Sequence, residues 1–421
     1  MQHVRAETIT IGDEILYGQI VDTNSQWISK ELDKIGIKTV RKTTVSDSES
    51  DILGALAEAS TRADIILITG GLGPTSDDLT KPCLAKFFQC DLALNEQALK
   101  EVELIFDKIG RKLTETNRQQ AYLPTKCSVL TNRVGTAPGM WFQEKEQVYV
   151  SMPGVPHEMK TLMTEQVLPR LQTVFQMPAI YHKIVKTIGI GESWLADKIN
   201  LWEQQLPPHI KLAYLPGLGE VKLRLTAVGD DPDMLKIDIN QQIKNLKPLA
   251  GKYIYGYDQD TLPIVVGNLL RSQKLTIAAA ESCSGGSVAQ AITSVAGSSD
   301  YFAGSIVTYQ NSLKESLLGV NPVTLENHGA VSKPTILEMA EGVRKRLKVD
   351  IGVATSGIAG PGGGSLKKPV GTVWIAYVDG KNQISKKLSL YKDRAINIKL
   401  TTQAVLNLVR QRLVEMDGEK V

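Results

Sequence analysis

The run Leu275-Thr276-Ile277-Ala278-Ala279-Ala280 leads without a break into Glu281-Ser282-Cys283-Ser284-Gly285-Gly286. Its apolar first half reads as a buried strand, and the small and apolar residues from Ser287 to Val295 read as a helix. A hydroxyl, a thiol and two glycines at a strand-to-helix turn place a nucleophile-capable side chain beside unpaired backbone N–H groups. That geometry suits attack on a carbonyl with capture of the oxyanion near Gly285 and Gly286, or the binding of a phosphate. Cys283 is a second candidate nucleophile, but no histidine lies in a recognisable partner motif, so a small buried thiol is the expectation.

Outward from this turn, strands near 275–280, 303–309, 350–356 and 370–378 alternate with helices, and Ile384 to Leu390 can add one more strand. A helix from about Ile264 opens this block, and Thr401 to Leu413 lies within a closing helix. The strand ending at Tyr309 runs into Asn311-Ser312-Leu313-Lys314, a predicted helix start with Asn311 as its cap. Lys314 then stands at the positive end of the helix dipole, where its amine is easier to deprotonate. A neutral lysine is the base that a serine nucleophile needs, whereas a solvated surface lysine is the plain alternative. The loop Ser356-Gly357-Ile358-Ala359-Gly360-Pro361-Gly362-Gly363-Gly364-Ser365 follows an apolar strand, Ile351 to Ala354. Its glycines let the backbone approach a ligand closely, and a strand end is the usual ligand edge of an α/β sheet. A flexible connection is the bland alternative.

The first block repeats the alternation. Glu7 to Ile11, Lys38 to Val45 and Ile65 to Thr69 read as strands; Thr23 to Ile35, Ser50 to Thr61 and Gln97 to Ile109 read as helices. Such alternation implies βαβ units and a parallel sheet, followed here by a hairpin around Gly139 to Ser151 and a long helix from Met159 to Phe175. Asp22 or Thr23 can cap the first helix. Gly12-Asp13-Glu14 follows the first strand, and Gly70-Gly71-Leu72-Gly73-Pro74-Thr75-Ser76-Asp77-Asp78 follows the third. A glycine loop beside carboxylates at one sheet edge can hold a diphosphate and a divalent cation, although caps and turns would use the same residues.

Between these blocks, strands at His182 to Ile188, Ile210 to Tyr214 and Glu220 to Val228 and helices at Glu192 to Trp202 and Pro232 to Leu246 outline a small α+β module. Gly189-Ile190-Gly191-Glu192 is superficially like the Gly-x-x-Gly loop of RNA-binding KH modules. Glu192 stands where that loop has glycine and would oppose a phosphate backbone, so the segment reads as a helix N-terminus. Polar Gly256 to Pro263 reads as a linker. The 421 residues are thus divided into domains at 1–176, 177–255 and 256–421.

Formal charge is only +3, and no Lys/Arg block or aromatic-basic stripe occurs, so nucleic acid is not an expected partner. No window approaches 18 uninterrupted apolar residues, which argues against a membrane span. Met1 to Glu7 lacks an export-signal core, and Cys83, Cys90, Cys127 and Cys283 lack C-x-x-C spacing, so a cytoplasmic location with reduced thiols is expected.

Several of these segments together resemble one family. Gly12-Asp13-Glu14-Ile15-Leu16, Asp22-Thr23-Asn24, the Gly70 to Thr80 loop and Met152-Pro153-Gly154-Val155-Pro156-x-Glu158-Met159 are similar to the N-terminal half of the CinA competence/damage-inducible proteins. Ala280 to Gly286, Val307-Thr308-Tyr309-x-Asn311-x-x-Lys314, Gly329-Ala330-Val331-Ser332, Ser356 to Pro361 and Lys368-Pro369-Val370-Gly371-Thr372-Val373 are similar to its C-terminal half. The resemblance spans nearly the whole chain. It implies an α/β protein with a three-layer, MoaB/MogA-like molybdopterin-binding N-terminal domain, a KH-like middle domain thought not to bind RNA, and a C-terminal amidase domain.

The activity implied is hydrolysis of nicotinamide mononucleotide to nicotinate mononucleotide and ammonia, without a cofactor, in pyridine-nucleotide salvage. Ser282 would be the nucleophile, Lys314 its base and Tyr309 an assisting hydroxyl, with Gly285, Gly286, Gly357, Gly360, Gly362, Gly363, Thr372 and Arg394 around the substrate. Some members also hydrolyse ADP-ribose in the N-terminal domain with a divalent cation. Gly12, Asp13, Asn24, Gly70, Gly71, Gly73, Pro74 and Thr75 would then hold the nucleotide, and Asp77 and Asp78 the metal. Ser284 replaces the family's common Thr and keeps the hydroxyl. The rival implications are the pyrophosphatase as main activity, a non-enzymatic role in DNA uptake, and molybdopterin adenylyl transfer. A homodimer is the default expectation.

Overall fold

Three early strands, β1 (Arg5–Ile11), β2 (Lys38–Val45) and β3 (Ile65–Thr69), lie parallel, with β1 between the other two. The computed structural model describes Val4 to Gly418 except Ser76 and Ile109. Successive side chains of a strand face opposite ways, and both faces of this sheet are covered. Ile9, Ile11, Ile66 and Ile68 pack in one cluster with Ile52, Leu56 and Leu84. Ala6, Ile65 and Leu67 pack in another with Ile28, Leu32, Met159 and Leu162. That is the three-layer arrangement.

The helices of this module are α1 (Asp13–Leu16), α2 (Thr23–Lys34), α3 (Glu49–Ser60), α4 (Thr80–Phe87), α5 (Glu96–Lys108), α6 (Glu115–Arg118), α7 (Pro156–Leu162) and α8 (Leu168–Val174). A ribbon of β4 (Leu92–Leu94) and β5 (Tyr122–Pro124) stands apart from the main sheet. With β6 (Ser128–Leu130), β7 (Gly139–Glu144) and β8 (Gln147–Met152), that sheet runs β2-β1-β3-β8-β7-β6. β8 is parallel to β3, and the β7–β8 hairpin reverses the remaining edge. Asp22 caps α2, its carboxylate accepting from Ser25 N at 2.9 Å. The expected helix from Met159 to Phe175 is α7 and α8 joined by a wider turn, Met163–Val167. Pro169 has no N–H to donate back along the helix, and the wide turn accommodates it.

Two compact units divide the chain: Met1–Tyr181 with Ala227–Lys236, and His182–Thr226 with Ile237–Val421. The middle module comprises β9 (Ala179–Ile188), α9 (Glu192–Gln204), β10 (Ile210–Gly217), β11 (Glu220–Gly229), α10 (Pro232–Ala250) and β12 (Ile254–Tyr257), with sheet order β10-β11-β9-β12. The segment read as a linker, Gly256 to Pro263, is instead the end of an edge strand, a turn and the first residues of the next helix. β12 pairs antiparallel with β9, Asp258 accepts from Ile184 N at 3.0 Å, and Asp260 accepts from Tyr257 N at 2.7 Å. Its acidic residues close hydrogen bonds rather than solvate a connection.

The C-terminal module contains α11 (Leu262–Gln273), β13 (Ile277–Glu281), α12 (Ser287–Thr293), β14 (Phe302–Val307), α13 (Asn311–Leu318), α14 (Pro322–His328), α15 (Lys333–Leu347), β15 (Ile351–Gly357), β16 (Thr372–Val378), β17 (Gln383–Ser389) and α16 (Arg394–Gly418). Its sheet runs β14-β13-β15-β16-β17, with the first three strands parallel and the last two antiparallel. β13 is buried throughout: Ile277 and Ala279 face the cluster containing Leu270, Val288 and Val409, and Ala278 and Ala280 face that containing Ile336 and Met339. Gln310, not Asn311, occupies the cap position of α13, and no side chain caps it. Among the described residues no helix is long and apolar enough to cross a membrane.

One buried cation ties the middle module to α16. Arg410, 4% exposed, donates to Ile254 O and Lys252 O, each at 3.0 Å, and to Asn407 Oδ1 at 3.0 Å. Hydrogen bonds from a charged donor contribute about 1.5–3 kcal/mol each in such settings, and truncation leaves carbonyls unpaired. Arg410→Ala should therefore lower unfolding stability by about 2–3 kcal/mol, measured by urea denaturation followed by circular dichroism.

Candidate active sites

The parallel pairing of β13 with β14 sets Glu281 opposite Val307, and Thr308 N donates to Glu281 O at 2.8 Å. Ser282 and Thr308 therefore leave the sheet side by side, at the carboxyl ends of adjacent strands. On the other flank, Ser282 N donates to Thr355 O at 3.0 Å, and Ser284 Oγ lies 2.6 Å from Thr355 Oγ1. The nucleophile turn is thus stitched to both neighbours. Ser282 is 9% exposed.

Lys314 lies one turn into α13 and is 1% exposed, so the reading as a solvated surface lysine fails. Its Nζ donates to Thr308 O at 2.8 Å and Tyr309 O at 3.4 Å. Burial lowers the amine's pKa below the ordinary lysine value, and the Cys283 sulfur opposes this only in part. Among the described residues no hydrogen bond joins Lys314 directly to Ser282. The amine is bonded instead to the carbonyl of the residue that leaves the sheet beside that serine. Tyr309 and Arg394 meet at an exposed rim: Arg394 Nη2 donates to Tyr309 Oη at 3.0 Å, and Nη1 to Gly360 O at 3.0 Å.

The unpaired backbone donors of this turn are not where the glycines suggested. Gly286 N donates to Glu281 Oε2 at 2.9 Å, and Gly285 N to Ser282 O at 3.2 Å, so both expected N–H groups are already spent. Cys283 and Ser284 are the turn residues whose N–H groups make no hydrogen bond to another residue among the described residues. Sequence reasoning missed Glu281, although an acid between a buried strand and a helix start is a visible signal. The glycine loop divides as well. A Cβ at Gly357 would lie 2.6 Å from Val373 Cγ2, and Gly360, at φ +94°, would place one 2.6 Å from Val370 Cγ1. Packing demands those two, whereas Gly362 faces open space and Gly363 meets only Ile358 Cγ2, at 3.7 Å. Thr372 is buried at the start of β16, its carbonyl accepting from Ile358 N at 2.9 Å.

In the N-terminal module the two acidic loops meet around a cavity of about 520 Å³. Gly12, Asn24, Gly70, Gly71, Gly73, Pro74, Asp77 and Asp78 line it. Asp13 stands at its edge, its N–H donating to Asp47 Oδ2 at 3.0 Å. Asn24, 8% exposed, donates to Gly154 O at 2.7 Å, while its Oδ1 has no partner among the described residues. Asp78 is turned into the glycine loop, accepting from Gly73 N at 2.8 Å and Thr75 N at 2.9 Å. It shapes the loop more than it offers a free carboxylate.

Asp47 and Glu158, neither expected, also line the cavity. Burial raises the pKa of both; at Asp47 the nearby Asp13, Glu14 and Asp77 carboxylates add to the rise. Asp47 follows the end of β2, so the strand-end rule that found Asp13 and Asp77 could have found it. No lysine or arginine is among the described residues lining this cavity. Lys81 lies behind the glycine loop, its amine pulled to about 8 by burial against the opposing pull of Asp78. Among the described residues no three His, Cys, Asp or Glu side chains are grouped closely enough to hold an ion by themselves. The residues fit a cation that one or two carboxylates share with a bound phosphate, as magnesium commonly does.

With this geometry established, the comparisons are specific. Residues 7–173 match the family model described as a probable molybdopterin binding domain, 182–256 the damage-inducible protein CinA KH domain, and 259–413 the CinA C-terminal domain. A CinA-like protein of Cytophaga hutchinsonii is 52% identical over 98% of this chain and 99% of its own, and one from Flavobacterium psychrophilum is 44% identical over the same shares. The chain belongs to the CinA family. Among solved structures, CinA of Thermoplasma acidophilum, titled as of unknown function, is 33% identical with TM-score 0.38, covering 41% of this chain and 100% of its own.

Cys283 beside the nucleophile position is buried, and desolvation, with a smaller push from Glu281, raises its thiol to about 12. At pH 8 it should resist iodoacetamide in the native protein and react fully in urea, as read by mass spectrometry of the peptide carrying it.

Proposed function

We propose that the C-terminal site hydrolyses the carboxamide of nicotinamide mononucleotide. The observation that carries this reading is Lys314: a buried amine with a lowered pKa, bonded to Thr308 O beside Ser282. Ser282 Oγ attacks the carboxamide carbon as Lys314, neutral, takes the hydroxyl proton. The oxyanion is met by the N–H groups of Cys283 and Ser284, each such donor being worth about 3 kcal/mol. The C–N bond then breaks, Lys314 returns the proton to the departing ammonia, and water hydrolyses the resulting ester by the same exchange. Lys314 gives up its long contact with Tyr309 O to reach Ser282, a tightening of the kind catalytic hydrogen bonds undergo once substrate is bound. Arg394, with Tyr309 and the open Gly362-Gly363 segment, faces the nucleotide's phosphate. No cofactor is required, and the expected setting is pyridine-nucleotide salvage in the cytoplasm by a homodimer.

Ser282→Ala and Lys314→Ala should each reduce ammonia release from nicotinamide mononucleotide by about a thousandfold or more. The base must be neutral, and burial lowers its pKa, so kcat/KM of the wild type should rise with pH along a limb below the ordinary lysine value. Near-wild-type turnover in both variants, or no such limb, would refute the dyad.

A second reading rests on a separate observation, the carboxylate-lined cavity with no lysine or arginine among its described lining residues. We infer that the N-terminal site hydrolyses the diphosphate of ADP-ribose. A diphosphate among Asp47, Asp77 and Glu158 is repelled unless positive charge accompanies it, so a divalent cation is implied. Such an ion would neutralise the phosphates and activate the attacking water. Asp77 and Asp47 would hold it, with Asp78 and Asn24 shaping the nucleotide's seat. EDTA should stop AMP release from ADP-ribose while leaving ammonia release unchanged, and Asp47→Asn should do the same by about a hundredfold. Loss of both activities together would reject two independent sites.

A further inference from the structure

Glu281 is the last residue of β13 and has no solvent exposure. No arginine or lysine is hydrogen-bonded to it among the described residues. Its Oε2 accepts from Gly286 N at 2.9 Å, Val288 N at 3.1 Å and Ser284 Oγ at 2.8 Å. Its Oε1 accepts from Ala289 N at 2.9 Å and Ser305 Oγ at 3.0 Å. A buried carboxyl group costs stability unless its oxygens are fully satisfied, and here five donors converge on two oxygens. They come from the nucleophile turn, the first turn of α12 and β14. The start of α12 is thus filled by an anion belonging to the chain itself.

We propose that Glu281 is a positioning residue for Ser282. It acts through the turn: with β13 on one side and α12 on the other clamped to one carboxylate, the five residues between them, Ser282 to Gly286, have one backbone path. That path leaves the N–H groups of Cys283 and Ser284 without a hydrogen bond to another residue among the described residues, and it starts Ser282 from the sheet edge beside Thr308. The same occupancy excludes a substrate phosphate from this helix end. The role rests on the amidase reading for its substrate, but not for its geometry. Misplacing a nucleophile by about 1 Å can cost about a hundredfold in rate.

The test uses the full chain and two readouts. Glu281→Gln keeps the volume but turns an amide N–H₂ toward groups that are themselves donors. Ser305→Ala removes one donor from β14 and is the milder variant should Glu281→Gln not fold. Circular dichroism and a thermal melt establish folding; ammonia release gives kcat and KM; and a fluorophosphonate reports Ser282 reactivity by intact-mass labelling, independently of any amide substrate. Glu281→Gln is expected to lower kcat and the labelling rate together by about a hundredfold, with KM within about threefold and the alkaline limb set by Lys314 unmoved. Ser305→Ala is expected to lower labelling by about threefold to tenfold. A folded Glu281→Gln protein, or failing that a folded Ser305→Ala protein, labelled within twofold of wild type overturns the proposal. If wild type releases no ammonia but is labelled at Ser282, and the variants slow that labelling, the amidase reading fails while the positioning role stands.

Discussion

The register between β13 and β14 is the constraint on which the C-terminal site depends. One parallel ladder, Glu281 opposite Val307, decides that Ser282 and Thr308 emerge together, and Thr308 O then holds Lys314 Nζ. A one-residue slip would turn each side chain of β13 to the opposite face of the sheet, sending Ala278 and Ala280 into the wrong core. Because both faces of β13 are buried in separate clusters, the slip is prohibited by packing on either side. The geometry of the site is therefore inherited from the core beneath it.

The two sites share an address, the carboxyl ends of parallel strands, and differ in charge. In the C-terminal module Lys314 and Arg394 are the basic side chains brought to the edge, while the acid that ends β13, Glu281, is turned inward and saturated. In the N-terminal module the cavity is lined by carboxylates with no lysine or arginine among the described lining residues, and Lys81 lines the neighbouring pocket behind the glycine loop. On the readings proposed above, an anionic substrate would approach the first directly, whereas at the second it would need a cation with it. The same edge rule thus supports two kinds of chemistry, set by which side chains are left facing outward.

Strand positions were legible from composition: Lys38 to Val45 is rich in β-branched residues and Ile65 to Thr69 is a short, nearly continuous apolar run buried throughout, and they match β2 and β3 at both ends. The short helices were not, since α1 and α6 are four residues long and owe their form to tertiary context rather than to periodicity. Gly256 to Pro263 misled because polar turn residues look alike whether they solvate a linker or, as Asp258 and Asp260 do, accept backbone N–H groups. At the site, Ser282 and Lys314 stood out through residue type and placement. Glu281 and Asp47 did not, since what distinguishes them is which donors or like charges surround them in space.

Glycine carries the least transferable signal of all. Gly70, at φ +111°, lies against the backbone of Ile11, and Gly357 against Val373, so in both glycine loops part of the composition answers to packing. Gly285 and Gly286, at φ +60° and +101°, meet nothing within 4 Å where a Cβ would stand; they are required by conformation alone. Their backbone path is what brings Gly286 N, and with it the start of α12, onto Glu281. A glycine pair that resembles an anion cradle therefore serves here to bend the chain around an anion already built into it. The free donors shift two residues back, to Cys283 and Ser284, nearer the hydroxyl they would assist.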